Sequence, residues 1–240
     1  MHYTAMEHGR LFFETYCNQK DTKHIVEIGS QDVNGSLRSV APKYFKYTGI
    51  DFVEGNGVDI LLTDPYSIPL EDESVDFVVT SSVLEHSEFF WLLFNEMLRI
   101  LKPNGLLYIN APSNGDFHRY PVDCWRFYPD SGKALENWGR KSGYSTILIE
   151  SFVGKQEREY WNDFVAVFLK NDNFIANHPH RILNQITSFT NGKTHENSDF
   201  INYRGVAIFA EACFGHPSPI LRRSLALSTT NRQTASTIAD

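Results

Sequence analysis

The chain has little that would tie it to a disulfide scaffold, a membrane or a nucleic-acid backbone. Its 240 residues include only three cysteines, Cys17, Cys124 and Cys213. They stand far apart and form no CxxC pair, which disfavours both a disulfide framework and a zinc knuckle and points to a reducing cytoplasm. No apolar run approaches the roughly 20 residues needed to span a bilayer. The N-terminus carries His, Glu and Arg among its apolar residues and has no stretch of signal-peptide length. A net charge of -7 leaves no general phosphate-tracking surface, so nucleic acid is not an expected partner. No internal repeat is evident.

One further scarcity is local. His24 to Ser36 reads HIVEIGSQDVNGS: an apolar run, an acid, a glycine and a turn. A pyrophosphate-binding loop needs G-x-G-x-x-G, whose later glycines let the backbone approach the phosphates and the helix pack closely. Here Gln31 stands at the second glycine position and Asp32, an acid that repels phosphate, at the third. A cationic or zwitterionic nucleoside suits such a loop better than a dinucleotide.

What is present is an alternation of short apolar runs and helical stretches. An amphipathic lead-in helix is expected at about 5–17 (AMEHGRLFFETYC). Strands are expected at about 24–29, 46–52, 58–61, 75–81, 106–112, 145–152 and 163–170. The stretch EFFWLLFNEMLRILKPNG reads as a helix stopped by Lys102-Pro103-Asn104-Gly105, and another begins at Pro129-Asp130, where Asp130 can satisfy free N–H groups or offset the dipole, and closes before Gly143. The class is therefore α/β, with a mostly parallel sheet covered on both faces and its ligand at the carboxyl ends of the strands. The pattern weakens after about residue 171. Residues 172–240 read as a partly ordered C-terminal extension, in which 203–214 is apolar enough to dock and LSTTNRQTASTIAD forms a loose Ser/Thr-rich tail.

Three acids fall at or beyond successive strands: Glu27, Asp51 and Asp64. An acid ending the second strand of such a sheet is placed to accept from ribose hydroxyls. Taken alone, Asp51 is also a common turn-capping residue.

With these acids, the stretches VEIGSQDVNGS, YTGIDFVEGNGVDI, LLTDPYSIPLEDESVDFVVTSSVLEHSEFF and LLFNEMLRILKPNGLLYINAPS make residues from about 24 to 170 resemble class I S-adenosylmethionine-dependent methyltransferases. They belong with the group carrying D-x-x-x-x-P and V-L-E-H motifs. The resemblance implies a Rossmann-like, seven-stranded sheet of order 3-2-1-4-5-7-6, its last strand antiparallel, in a domain over 1–171. It implies S-adenosylmethionine as cofactor and S-adenosylhomocysteine as product. Glu27, Gly29 and Ser30 would cradle the methionine part. Asp51 would hold the ribose with Phe52 beside the adenine, Asp64 would accept from the adenine amino group, and Ser81 and His86 would lie under the sulfonium. The lead-in helix, through Tyr3 and Arg10, would cover the cofactor. The family's acid-x-Gly-x-Gly-x-Gly motif keeps only its first glycine here. Asp64-Pro65-Tyr66 is similar to an amino-methylating DNA motif, but it follows the third strand and not the fourth.

After the fifth strand comes NGDFHRYPVDCWRFYPD, the acceptor-site candidate. His118 suits a general base and Asp123 can orient it or act itself. Arg126 can clamp an anionic group, and Tyr120 and Trp125 can stack on a sugar. Bracing of the loop by Asp123 with Arg126, and core anchoring by Trp125 and Phe127, are the structural alternatives. An H-x-Y-P-x-D-x-W-R-F pattern of this kind resembles methyltransferases of bacterial surface-polysaccharide clusters. The expected function is methyl transfer to an oxygen of a sugar or other small metabolite, in the cytoplasm, with a small-molecule or glycan acceptor and a homodimer among the assemblies considered. N-methylation, a non-catalytic binding protein and an NAD-dependent oxidoreductase are the competing readings. His178 and His180, in NHPH, have metal spacing but no matching carboxylates; they are expected at the surface, and no metal site is expected. Met6 and Met97 are expected in the core.

Overall fold

A computed structural model describes residues 2–17, 21–155 and 160–205. The chain divides into two compact units, Met1–Tyr203 and Arg204–Asp240, and the sheet and the candidate site belong to the first. The docking segment expected from 203, all but its first residues, the Ser/Thr-rich tail and Cys213 lie outside the described residues.

Eight strands form one sheet: β1 (His24–Ile28), β2 (Lys46–Asp51), β3 (Ile60–Leu61), β4 (Val75–Ser81), β5 (Leu101–Pro112), β6 (Ile147–Gly154), β7 (Asp163–Leu169) and β8 (Phe189–Thr194). Their order is β3-β2-β1-β4-β5-β7-β6-β8. The expected order is present, with β7 antiparallel to both β5 and β6. The eighth strand is the difference: β8 adds antiparallel to the outer edge of β6. The Phe-Thr-Asn-Gly-Lys-Thr run that forms it is too polar to read as a strand by hydrophobicity; only its Phe189 anchors in the core.

Alternation along the strands sends successive side chains to opposite faces, and two cores result. Val26, Val78, Leu107, Ile109 and Phe168 join α2 (Phe90–Ile100) and α3 (Ser131–Lys141) through Phe94, Met97, Leu98 and Leu135. Ile25, Phe77, Val79, Tyr108 and Val167 join α1 (Tyr3–Tyr16) through Leu11, Phe12, Phe13 and Tyr16. Each fully buried side chain of this size contributes roughly 1.5–3 kcal/mol. Met97 is in the core as expected, whereas Met6 is only half-buried on α1.

α2 stops at Ile100, before the Lys-Pro-Asn-Gly stop, because Pro103 disfavours helical backbone at the residue before it. Leu101 turns extended and pairs with Val75. The freed carbonyls at the helix end find donors: Lys170 Nζ reaches Leu101 O at 2.6 Å and Arg99 O at 3.3 Å. Asp130 occupies the N-cap of α3 without a side-chain cap bond; its backbone there is already helical, which aims the carboxylate away from the free N–H groups.

The crossover from β1 to β2 carries one short helical turn, Leu37–Ser39, capped by Ser36 Oγ accepting from the Arg38 N–H. This crossover therefore holds no long helix whose N-terminus could face the loop after β1.

Candidate functional site

A cavity of about 330 Å³ opens at the carboxyl ends of β1, β2 and β4. The loop after β1 forms its floor. Gly29 sits at φ 78°, a left-handed conformation that costs glycine nothing, and a Cβ there would stand 2.0 Å from Val83 Cγ2. Geometry thus requires a glycine at this position, and Gly35, later in the loop, has a positive φ of 117° as well. The next N–H groups are engaged by the protein. Gly29 and Ser30 donate to Ile50 O at 2.9 and 3.2 Å, Gln31 to Asp51 Oδ2 at 2.9 Å, and Asp32 to Asn56 O at 2.8 Å. These four amides are therefore not free to cradle a phosphate.

The predicted cofactor residues converge here with one exception. Glu27, Gly29, Ser30, Asp51, Phe52, Ser81 and His86 all line the cavity. Asp64 does not: it is exposed and caps its own turn, accepting the Tyr66 N–H at 2.8 Å, while Leu62, Pro65 and Tyr66 supply that stretch of wall. Glu27 is buried with its oxygens engaged by Ser36 Oγ (3.0 Å), Tyr47 OH (2.9 Å) and the Leu37 N–H (3.3 Å). Burial raises its pKa despite those donors. Asp51 accepts the Gln31 and Val53 N–H groups and keeps a face on the cavity. Ser30 Oγ and Ser81 Oγ are buried in the wall with no hydrogen-bond partner among the described residues.

Sequence reasoning missed Val83, Tyr66, Leu93, Pro121 and Val122, which complete the wall. Val83 was legible in principle, since it lies inside VLEH. Tyr66 lies in the Asp64-Pro65-Tyr66 motif and Pro121 and Val122 in the acceptor-loop candidate, whereas Leu93 reads as ordinary packing of α2. α1 contributes nothing to the wall: Arg10 is held by Glu7 and Glu14 on its own helix, and Tyr3 is exposed, so the expected cover over the cofactor is not where this helix lies.

The acceptor-loop residues divide among three places. Tyr120 lines the cavity and donates its hydroxyl to Gln31 Oε1 at 2.8 Å. Trp125 and Arg126 line a separate aromatic cleft of about 360 Å³ with Phe90, Trp91, Phe127 and Trp138. His118 and Asp123 lie between them. Asp123 binds both Arg126 nitrogens, at 2.5 and 2.8 Å, and accepts the His118 N–H at 2.7 Å. These donors, Arg126 foremost, pull its pKa down to about 2. The ring of His118 packs edge-on against His86 at 4.9 Å and against Trp161 at 5.0 Å. Beneath them Glu85 is 1% exposed, and burial pushes its pKa up to about 8. Burial also lowers that of His86.

One placement corrects the sequence reading at the far end of the sheet. His178 is buried, with Nε2 bonded to Asn104 Oδ1 at 3.0 Å; only His180 is exposed. Among the described residues no helix is long and apolar enough to cross a membrane.

Residues 28–109 match the methyltransferase domain family. An uncharacterized methyltransferase of Mycolicibacterium paratuberculosis is 29% identical over 118 residues, 49% of this chain and 42% of that protein. One of Mycobacterium bovis is 32% identical over 83 residues, 35% of this chain and 29% of that protein. The chain thus spans less than half the length of the curated relatives it matches. Among solved structures, the Burkholderia thailandensis 1,6-didemethyltoxoflavin-N1-methyltransferase, with bound 1,6-didemethyltoxoflavin and S-adenosylhomocysteine, superposes with a TM-score of 0.54 at 14% identity, covering 70% of this chain and 79% of that one. The [4+2]-cyclase SpnF gives 0.53 at 14% identity, covering 69% and 81%. The fold is the Rossmann-like fold of class I methyltransferases.

Proposed function

We propose that the chain is an S-adenosylmethionine-dependent methyltransferase acting on an oxygen of a sugar or another small metabolite. The charge of the cavity carries this reading. Among the described residues its wall contains Glu27, Asp51 and Glu88 but no lysine or arginine, which suits a sulfonium and an amino group and opposes a pyrophosphate. The two unpartnered serine hydroxyls supply polar positions for such a ligand. The matched methyltransferase domain family and the S-adenosylhomocysteine held by the Burkholderia enzyme support the same choice.

In the reaction, an acceptor oxygen attacks the sulfonium methyl carbon as the carbon–sulfur bond breaks. Its electron pair stays on sulfur, giving neutral S-adenosylhomocysteine, and the hydroxyl proton passes to a base. Alignment of the two reactants and exclusion of water supply much of the acceleration. Asp51 would hold the ribose, and Ser81 and His86, which line the same cavity, would face the sulfonium. The acceptor enters along Tyr120, and His118, next to His86, is the acceptor-activating candidate. The Trp125 cleft offers a ring-stacking surface for the rest of the acceptor.

Calorimetry with S-adenosylmethionine and NAD tests the cofactor: binding of the first and not the second is expected, and the reverse would end this reading. A mass-shift screen of nucleotide sugars and oligosaccharides with a labelled methyl donor tests the acceptor, and its products distinguish O- from N-methylation. The second reading is a non-catalytic protein that binds S-adenosylmethionine, since a fold does not fix a chemistry and a [4+2]-cyclase shares this one. Binding of S-adenosylmethionine without turnover on any acceptor would favour it.

A further inference from the structure

We propose that Glu85, His86 and His118 form a binding site for one divalent transition-metal ion beside the cofactor cavity. The proposal deepens the methyl-transfer reading, but the ion's binding is measurable without it. One ligand atom from each of the three residues lies within 4.8 Å of the others. His86 Nε2 stands 3.7 Å from Glu85 Oε1. Donors bound to a common ion at about 2.1 Å are separated by about 3–3.4 Å. The site must therefore tighten by about an ångström, and His118, whose side chain is 42% exposed, has the freedom to do so.

The supporting contacts prepare both imidazoles as ligands. A carbonyl only accepts, so His86 Nδ1, at 2.5 Å from Val122 O, carries the hydrogen and leaves the lone pair on Nε2. His118 Nδ1 faces Asp116 O at 3.2 Å and Asp123 Oδ2 at 3.4 Å, which likewise leaves Nε2 as its lone-pair nitrogen. Oxygen acceptors behind ligating histidines are the usual outer-shell arrangement of metal sites.

The carboxylate supplies an independent sign. Glu85 Oε2 is buried and has no hydrogen-bond partner among the described residues. A buried carboxylate oxygen with no donor is costly unless something outside the chain meets it. Arg126 stands near enough to act on Glu85, as do Asp123 and Asp163, but its two terminal nitrogens are bound to Asp123 and neither reaches the Glu85 carboxylate. Two imidazoles and one carboxylate form a borderline donor set of the kind that selects Zn²⁺, Fe²⁺, Co²⁺ or Mn²⁺ over Mg²⁺ or Ca²⁺. His86 also lines the cofactor cavity, so an ion here lies one side chain from the methyl donor and can stabilise charge on an acceptor oxygen.

The test uses the full chain, stripped with chelator and titrated with Co²⁺, following its visible absorption and the bound metal by elemental analysis. One ion per chain is expected, without the near-ultraviolet band of a thiolate ligand. Glu85→Gln and His118→Ala should each weaken binding by roughly 100-fold or more. Cys124→Ser and His180→Ala should leave it unchanged, and circular dichroism checks that every variant is folded. Wild-type protein that binds no more Co²⁺ than Glu85→Gln and His118→Ala would overturn the site and would mean that Glu85 merely holds a proton. Binding lost in Cys124→Ser would overturn it in favour of a thiol. Titration of the stripped protein with S-adenosylmethionine reports on the cofactor reading separately.

Discussion

The backbone N–H of Gln31 donates to Asp51 Oδ2 at 2.9 Å, so the residue that ends β2 also holds the loop that follows β1. Asp51 Oδ1 takes the Val53 N–H at 3.1 Å. Each oxygen has a further lone pair, and the residue borders the cavity, so the carboxylate can brace the loop and accept ribose hydroxyls at once.

On the proposed reading, Asp51→Ala removes two kinds of contact, one to the loop and one to the ribose. Charge-assisted hydrogen bonds to ribose are worth about 1.5–3 kcal/mol each, so affinity for S-adenosylmethionine should fall by a factor on the order of 100 or more. The orphaned N–H groups add a stability loss of about 1–3 kcal/mol. Calorimetry on protein shown to be folded reads the first effect. Unchanged affinity would remove Asp51 from the ribose.

Gly29→Ala meets two obstacles of different origin. The left-handed φ of 78° costs an alanine about 1–2 kcal/mol, and its Cβ would sit 2.0 Å from Val83 Cγ2. The variant should lose about 2–4 kcal/mol of stability, read from urea unfolding. Adding Val83→Ala makes room for the methyl group but leaves the backbone strain. The double variant should therefore recover relative to Gly29→Ala and still fall short of Val83→Ala alone. Full recovery to the Val83→Ala level would show that the strain is not felt.

Much of this arrangement was legible in the sequence because it depends on local pattern. The apolar strands, α2 and α3 follow from periodicity, and Asp51 and His86 follow from motifs at strand ends. What escaped depends on contacts far apart in the chain. β8 is polar and exists because the edge of β6 lacks a partner. Asp64 looks like a third cofactor acid in sequence but turns outward to cap Tyr66. Glu85 lies in a recognised motif, yet its burial beside a histidine more than thirty residues away has no signature in spacing.

Asp163 lies buried between two histidines, at 3.1 Å from His2 Nε2 and 3.0 Å from His8 Nδ1, and these partners hold its pKa below the usual carboxylate value despite burial. A carboxylate whose folded pKa lies below its unfolded value of about 3.9 stabilises the fold fully above that value. The contribution is lost as pH falls through the folded pKa. Asp163→Asn should cost roughly 3 kcal/mol near neutrality. The gap between wild type and variant should narrow as the pH is lowered below about 4. Urea unfolding at several acidic pH values measures it, and a gap that stays constant down to about pH 2 would contradict the assignment.

The last prediction concerns what Arg126 is for. Its Nη1 donates to Asp123 Oδ1 and Trp125 O, and its Nη2 donates to Asp123 Oδ2 and Asp116 O, so four contacts tie the acceptor loop to itself. Only Nε lacks a partner among the described residues. A guanidinium engaged in this way has little left with which to clamp an anionic acceptor, and bracing is the stronger role. The Asp123–Arg126 pair is bidentate and largely sheltered, with side-chain exposures of 2% and 18%. A double-mutant cycle of Asp123→Ala and Arg126→Ala should give a coupling of about 1–3 kcal/mol in stability. Bracing predicts that Arg126→Lys, which keeps the charge but loses the two-pronged geometry, recovers little of that coupling. A clamp on an anionic acceptor predicts instead that Arg126→Lys is as stable as wild type and raises KM for charged acceptors alone. Measuring unfolding and KM on wild type, Arg126→Ala and Arg126→Lys separates the two roles.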